Sequence, residues 1–264
     1  MNLAAASRLC FALTMIGIGV IGLLTGGFPP IFGGVPKDMP DRALLGYLCT
    51  LVSLVSGAGL LAKRSSRGAA LILLVFLSFW TIAFKLPFII REPLVEVSYQ
   101  STGETLVLVA AALVLYAEFA RGRLKGDRGR RIARVLFGLA LIAFGLSHFF
   151  YVSLTAPLVP GWLGAPLFWA YFTGSAYLAT GLLLVLGILT RIAATLAALE
   201  IALITLLVWG PRLLSGELSA MQAEEAVVSW ALTAGALVIA AAFQQAPWFE
   251  RPRRRTPALV EAAS

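Results

Sequence analysis

The segment PLFWAYFTGSAYLATGLLLVLGIL, Pro166 to Leu189, runs through 24 residues without a charged side chain. A helix that crosses the hydrocarbon core of a bilayer needs about 20 predominantly apolar residues. The segment therefore predicts a membrane-spanning helix. The whole chain has the same character, because 59% of its 264 residues are hydrophobic and only 13% are charged. Water-soluble domains carry about 25% charged residues, so the chain is predicted to be a polytopic membrane protein.

Apolar segments of this kind recur along the chain and predict an all-α integral membrane fold with eight transmembrane helices. The predicted spans are Leu9–Leu24, Leu44–Ala62, Ala69–Ile90, Thr105–Phe119, Ile132–Val152, Pro166–Leu189, Ile192–Leu213 and Ala226–Phe243. The fourth span is the shortest. Its helix is expected to begin inside the polar stretch YQSTGE, residues 99–104.

The basic residues fall in alternate loops. They are Lys63, Arg64, Arg67, Arg121, Arg123, Lys125, Arg128, Arg130, Arg131, Arg134, Arg191, Arg251, Arg253, Arg254 and Arg255. The opposite loops are uncharged or carry acids, with Lys37, Asp38, Asp41, Arg42, Arg91, Glu92, Glu96, Arg212, Glu217, Glu224 and Glu225. The positive-inside rule therefore predicts that both termini are cytoplasmic. The net charge of +8 is expected to meet anionic lipid headgroups of the bilayer, and nucleic acid is not an expected partner.

The two halves of the chain resemble each other in sequence. The stretch VPKDMPDRALLGYLCTLVSLVSGAGLLAKRSSRGAAL aligns with VPGWLGAPLFWAYFTGSAYLATGLLLVLGILTRIAAT, and Gly57 corresponds to Gly181. Beyond these stretches, Pro87 corresponds to Pro211 at the same offset. Each half contributes four spans and enters from the same side, which predicts two parallel four-helix bundle repeats. The predicted units are residues 1–120, a basic cytoplasmic linker 121–131, a second repeat 132–245, and a basic cytoplasmic tail 246–264.

Soluble cofactor and metal motifs are not expected. GIGVIG, Gly17 to Gly22, matches a dinucleotide-binding pattern, but it lies inside a predicted span, where glycines allow close helix packing. Cys10 and Cys49 do not form a C-x-x-C pair, and there is one histidine. We therefore expect no metal site and no covalently bound cofactor. No nucleophile–histidine–acid set is present in the pattern, and catalysis by the isolated chain is not expected.

Two ionisable residues are predicted at membrane depth, where charge is costly and function is common. Glu200 lies roughly 14 Å from Arg191 along its helix, near the midplane. It is either a proton-carrying or ligand-binding carboxyl, or a neutral side chain hydrogen-bonded to a neighbouring helix. Lys85 lies in the outer part of its span and is either functional or extends its amino group to the interface.

His148, the single histidine, is predicted near the outer surface, about 24 Å from the inner end of its span. That depth differs from the depth of Glu200 by roughly 10 Å, so direct contact between the two is not expected. Aromatic residues surround it in the sequence, including Tyr151 and Trp169. They are either part of an interfacial aromatic belt or the walls of a cleft for a quinone-like ring, with His148 correspondingly structural or ligand-facing.

The second half resembles the DoxX-like superfamily of bacterial membrane proteins. The resemblance is carried by RIARVLFGLALIAFGLSHFFYVSLTAPLVPGW, FWAYFTGSAYLATGLLLVLGILTRIAATL and LLVWGPRLL, and it extends over Arg131 to Phe243. It implies a four-helix membrane bundle, here two fused units, in a bacterial inner (plasma) membrane. The family takes its name from a membrane subunit of a thiosulfate:quinone oxidoreductase, which implies a membrane redox enzyme as a partner. The resemblance also implies a histidine at the position of Tyr177, so this chain departs from the pattern there.

These observations favour an accessory membrane protein that binds a quinone or lipid-like molecule near the outer leaflet. The expected ligand-binding residues are His148, Tyr151, Trp169 and Tyr177. A small-molecule or proton-coupled transporter that uses Glu200 is the first alternative, and a non-catalytic membrane scaffold is the second.

Overall fold

The computed structural model describes residues 2–120, 124–216 and 218–249. Within these residues eight helices are long and apolar enough to cross a membrane, which confirms the all-α, eight-span prediction. In chain order they are α1 (Leu3–Thr25), α2 (Arg42–Leu61), α3 (Ser66–Arg91), α4 (Glu96–Phe119), α5 (Asp127–Phe150), α6 (Pro166–Leu186), α7 (Thr190–Ser215) and α8 (Ala220–Ala242). Arg121, Arg123, Glu217 and the tail residues 250–264 of the sequence analysis lie outside the described residues.

Helix α4 takes in the whole polar stretch that precedes its apolar run. It begins at Glu96, earlier than the expected start within residues 99–104. Hydroxyl groups in the added turns bond to carbonyls of the same helix, as in Thr102 Oγ1 to Ser98 O at 2.7 Å. These polar side chains are therefore compatible with helix at this depth, and Glu104 becomes an intramembrane residue. Helix α5 also begins early, at Asp127, so the end of the predicted linker is helical.

The eight helices form a closed ring. Each helix packs against the next one in the chain, and α8 closes the ring against α1. Trp230 of α8 donates a hydrogen bond from Nε1 to Thr14 Oγ1 of α1 at 3.1 Å. Helices α4 and α8 also pack against each other across the ring, and α4 is the most buried of the eight. The first helix of each half thus packs against the last helix of the other half, α1 on α8 and α5 on α4.

Helices α3 and α7 share an unusual local structure. Each contains a π-helical turn, at Thr81–Lys85 and Thr205–Trp209, and the two turns are 124 positions apart (205 minus 81). Pro87 and Pro211 follow these turns. Proline lacks the amide hydrogen and clashes with the carbonyl four residues earlier, so a locally widened turn accommodates it. Both ends of α3 and α7 keep the same offset of 124. The origin of the halves as two fused parallel repeats stays a prediction.

Glycine brings neighbouring helices close together in both halves. A Cβ on Gly138 of α5 would lie 2.8 Å from Gly181 O of α6, and a Cβ on Gly181 would lie 2.8 Å from Gly138 O. In the first half, a Cβ on Gly57 of α2 would lie 2.8 Å from Ala12 O of α1. Small residues are what allow such close backbone approach in membranes. The contacts α1–α2 and α5–α6 therefore depend on these positions.

We expect Gly181→Val to separate α5 from α6, because the new side chain must displace the backbone of Gly138. Overpacking of this kind typically costs about 1–3 kcal/mol, so the apparent Tm of the detergent-purified protein should fall by several degrees. Gly17→Val is the matched control, since a Cβ at Gly17 meets nothing within 4 Å. Equal Tm values for the two variants would contradict the packing described above.

Candidate functional site

A cavity of about 1600 Å³ opens at one end of the ring. Its rim is formed where α1, α3, α5 and α7 end and where α2, α4, α6 and α8 begin. By the charge distribution of the loops this is the predicted outer side. The deepest lining residues on α6 and α7 are Leu183 and Leu196, which lie close to the opposite end of the two helices. The cavity is larger than the roughly 300–1,000 Å³ of most ligand pockets.

The cavity also reaches the lipid-facing surface between α6 and α7. The lining residues at helical spacing are Phe172, Ala176, Ala179 and Leu183 on α6, and Leu196, Glu200, Leu203 and Leu207 on α7. Residues at this spacing form one stripe along a helix. Phe172, Leu196 and Leu203 are large apolar side chains that are well exposed. We infer that the two stripes line a lateral opening between α6 and α7, through which a molecule dissolved in the bilayer reaches the interior.

Three polar side chains form one wall of the cavity, called here the second-half wall: His148, Tyr177 and Glu200. The His148 and Tyr177 rings are 5.6 Å apart between centroids, in an edge-to-face arrangement. His148 Nδ1 lies 2.8 Å from Phe144 O. A carbonyl only accepts hydrogen bonds, so Nδ1 carries the hydrogen, and Nε2 of the neutral ring is left as an acceptor.

Two members of this wall have unused hydrogen-bonding capacity. Glu200 Oε1 is buried and has no hydrogen-bond partner among the described residues. Tyr177 is 5% exposed, and its hydroxyl makes no hydrogen bond within that same part of the chain. Buried polar groups are nearly always satisfied in proteins. The wall therefore presents an acceptor at His148, a hydroxyl at Tyr177 and a carboxyl at Glu200 to whatever fills the cavity.

The structure gathers most of the predicted site residues in this one cavity. His148, Trp169, Tyr177, Glu200 and Lys85 all line it. Tyr151 is not among the lining residues. Its hydroxyl donates to Leu94 O at 3.0 Å, which ties the end of α5 to the loop before α4. His148 and Glu200 share the cavity without a direct hydrogen bond between them.

The sequence analysis missed the polar residues that α4 contributes. Glu104 is 9% exposed and lines the cavity together with Lys85 of α3, which the sequence analysis had named and which is 3% exposed. Gln100 and Ser101 of α4 line it as well, and Ser101 Oγ is buried without a partner in the described residues. A signal was present, because the predicted span Thr105–Phe119 is too short to cross a bilayer. Extending it toward the N-terminus places Glu104 inside the membrane.

The first half is filled where the second half is open. Phe32, Phe76, Trp80 and Phe84 form a packed aromatic cluster, with ring centroids 5.1 Å apart for Phe32–Trp80, 6.0 Å for Phe76–Trp80 and 4.4 Å for Trp80–Phe84. The residues 124 positions later are Ala156, Glu200, Ile204 and Val208. None of these carries an aromatic ring. At this sequence offset, Glu200 and smaller apolar side chains take the place of the rings, and Glu200, Ile204 and Val208 line the cavity.

No group of three or more His, Cys, Asp or Glu residues is placed to hold a metal ion in the part of the chain that the structure describes. Both cysteines are free thiols, with Cys49 buried and Cys10 partly buried. The cavity lining combines hydrogen-bonding and charged side chains with apolar walls.

We expect Ile204→Trp to close part of the cavity, because it places at this position the residue that fills the first half. The readout is the rate at which Ala176→Cys, a cavity-lining position, reacts with a water-soluble thiol reagent after Cys10→Ser and Cys49→Ala remove the native thiols. The tryptophan should slow labelling several-fold. Leu206→Trp is the control, since Leu206 is exposed and lies outside the cavity lining. Equal slowing by both would show that the effect does not come from filling the cavity.

Comparison with known proteins bears on the second half. The family model of DoxX matches residues 129–210, which confirms the resemblance seen in the sequence. The match includes the whole second-half wall and leaves out Lys85 and Glu104. No curated protein and no solved structure matches the chain. The protein is a multi-pass membrane protein in which residues 129–210 match the DoxX family model.

Proposed function

We propose that the protein binds a lipid-soluble amphipathic molecule in the cavity, with quinones as the class that best suits the second-half wall. The observation that carries this proposal is the pair of exposed apolar stripes on α6 and α7 that line the same cavity as His148, Tyr177 and the unsatisfied Glu200 carboxyl. An apolar tail would lie among the leucines of α6 and α7, and a polar ring would face His148 and Tyr177. Ligand sites combine apolar walls with a few convergent polar groups in this way.

The hydrogen-bonding roles match the two redox forms of a quinone. The carbonyl oxygens of a quinone accept hydrogen bonds, and the Tyr177 hydroxyl is able to donate one. The hydroxyl groups of a quinol donate, and His148 Nε2 is able to accept because Nδ1–H bonds to Phe144 O. The edge-to-face arrangement of the two rings places these opposite capacities side by side.

The proposed role is accessory, with a membrane redox enzyme as the partner that acts on the bound molecule. The resemblance of the second half to DoxX supports this assignment. The polar groups of the cavity bind and orient a molecule, and the partner enzyme carries out electron transfer. It follows that partner subunits should co-purify under mild solubilisation, and that the isolated chain should bind without turning over.

The first test is mass spectrometry of small molecules extracted from the purified protein. The wild type should retain a quinone or lipid-like molecule at a defined stoichiometry. Tyr177→Phe removes one hydrogen bond, worth about 1 kcal/mol, and should lower retention about fivefold. His148→Ala removes the acceptor and should lower it further. Tyr151→Phe is the matched control, since it deletes a hydroxyl that bonds to Leu94 O outside the cavity.

Identical extracts from all four proteins would reject the proposal. Loss of proton-dependent uptake in reconstituted vesicles on Glu200→Gln, with identical extracts, would replace binding by transport.

We also propose that the cavity opens to the outer side of a bacterial inner membrane, with both termini in the cytoplasm. The basic loops support this orientation. In intact spheroplasts, Ala176→Cys should react with a membrane-impermeant thiol reagent, whereas Lys63→Cys in the loop between α2 and α3 should react only after permeabilisation. The native cysteines are replaced in both. The opposite labelling pattern would invert the proposed orientation.

A further inference from the structure

The basic residue Lys85 and the acidic residue Glu104 line the same cavity but do not form a salt bridge. Both are more than nine-tenths buried and line the cavity. They interact electrostatically, and Gln100 is the side-chain hydrogen-bond partner of Glu104. No ion pair within 4.0 Å joins Lys85 and Glu104, and among the described residues such a pair is formed by Arg130 and Asp127 at the surface. Lys85 also donates no hydrogen bond to a described residue. A buried charge without a close partner is costly, so the space between the two groups is suited to a ligand with charges of its own.

A zwitterion is the ligand that satisfies both groups at once. A simple anion would pair with Lys85 and leave Glu104 unmatched, and a simple cation would do the reverse. A molecule with one ammonium and one phosphate or carboxylate group pairs with both and adds no net charge to a buried site. We propose that Lys85 and Glu104 form a headgroup subsite for a zwitterionic phospholipid that bears a primary amine. The inference rests on the proposed function, because it assumes that the cavity takes up a lipid-like molecule.

The arrangement of the remaining charges sets the orientation of the headgroup. The other charged residues at the rim of the cavity are Arg42, Glu96, Arg212, Glu224 and Glu225. Of these, Glu96 and Glu225 interact electrostatically with Glu104. The negative potential on this side favours the ammonium group, which leaves the phosphate for Lys85. A primary ammonium has three N–H donors for carboxylates, whereas a quaternary ammonium has none. The subsite should therefore prefer an ethanolamine headgroup to a choline headgroup.

The depth of the subsite fits a lipid already in the membrane. Helix α3 has 26 residues, or about 39 Å at 1.5 Å per residue, against a hydrocarbon core of about 30 Å. Lys85 lies six residues before the end of α3, or about 9 Å, and so close to the boundary of the core. From there the cavity continues to the lateral opening between α6 and α7, which gives acyl chains a path back to the bilayer.

This subsite belongs to the first half of the chain. Lys85 and Glu104 lie outside the segment that matches DoxX, residues 129–210. The residues 124 positions after them are Trp209 and Val228, which carry no charge. The charged subsite thus has no counterpart in the second half, just as the second-half wall has none in the first. Each half supplies a different chemical feature to one shared cavity.

The experiment measures which lipids remain bound. The full-length protein is reconstituted in vesicles with equal parts of phosphatidylethanolamine, phosphatidylcholine and phosphatidylglycerol, re-solubilised, purified and extracted for lipid mass spectrometry. The wild type should be enriched in phosphatidylethanolamine relative to the vesicles. Lys85→Met and Glu104→Gln should each return the bound lipids toward the vesicle ratio. Lys63→Met and Glu118→Gln are the matched controls at exposed positions, and both should keep the enrichment.

Folding is controlled separately, because a single substitution leaves one buried charge alone. The double variant Lys85→Met/Glu104→Gln removes both charges and should keep the Tm of the wild type while losing the headgroup preference. Retention of the preference by a folded double variant would overturn the inference. If soluble phosphoethanolamine displaces the bound lipid at low concentration, the ligand of the subsite is the free headgroup compound, and the assignment to a phospholipid is wrong.

The outcomes also separate this inference from the function on which it rests. If the wild type retains a quinone or another lipid-like molecule without headgroup preference, the subsite inference fails and the proposed function stands. If the wild type retains no lipid or quinone in excess of its proportion in the vesicles, the proposed function fails and the inference fails with it.

Discussion

Every polar group that this chain carries to membrane depth must find its partner within the protein, because hydrocarbon offers none. The backbone meets this constraint by forming eight helices, and most hydroxyl groups meet it by bonding to the preceding helical turn. Thr205 also finds partners on a neighbouring helix, since its Oγ1 lies 2.8 Å from both Ser229 Oγ and Thr233 Oγ1 of α8. Among the described residues, the polar groups without a hydrogen-bond partner include Ser101 Oγ and Glu200 Oε1, which line the cavity, and Thr50 Oγ1 and Ser56 Oγ, which lie outside it.

The two halves carry different kinds of side chain at positions that are 124 residues apart. In the first half, aromatic rings around Trp80 fill the space between the helices. In the second half smaller side chains and Glu200 stand at those positions, and the space stays open. The π-helical turns at the same offset in α3 and α7 add a local widening at the level where the cavity begins.

Ring closure through α4 and α8 explains why one cavity serves both halves. Helix α4 packs on α5 and α8 packs on α1, so each half contacts the other through its last helix, and residues of both halves line one cavity. The residues of α4 face the same space as those of α6 and α7, so Glu104 and Glu200 line one cavity although they lie far apart in sequence. A lateral opening flanked by leucines, a polar wall and a charged pair together describe a binding site for a molecule that has both a tail and a headgroup.

The sequence alone determined the membrane class and the number of helices, because these follow from the length and spacing of apolar runs. Its motifs carry the resemblance to DoxX, which singled out Tyr177 as the position where a histidine is implied. His148 and Glu200 stood out as rare polar residues in apolar runs. The sequence analysis missed Glu104, whose apolar run was too short by itself to define a span, and it grouped Tyr151 with the cavity residues although that side chain bonds to Leu94 O. Only the tertiary structure decided which side chains share a space, because sequence spacing fixes the face a residue occupies on its own helix but not the neighbour that this face meets.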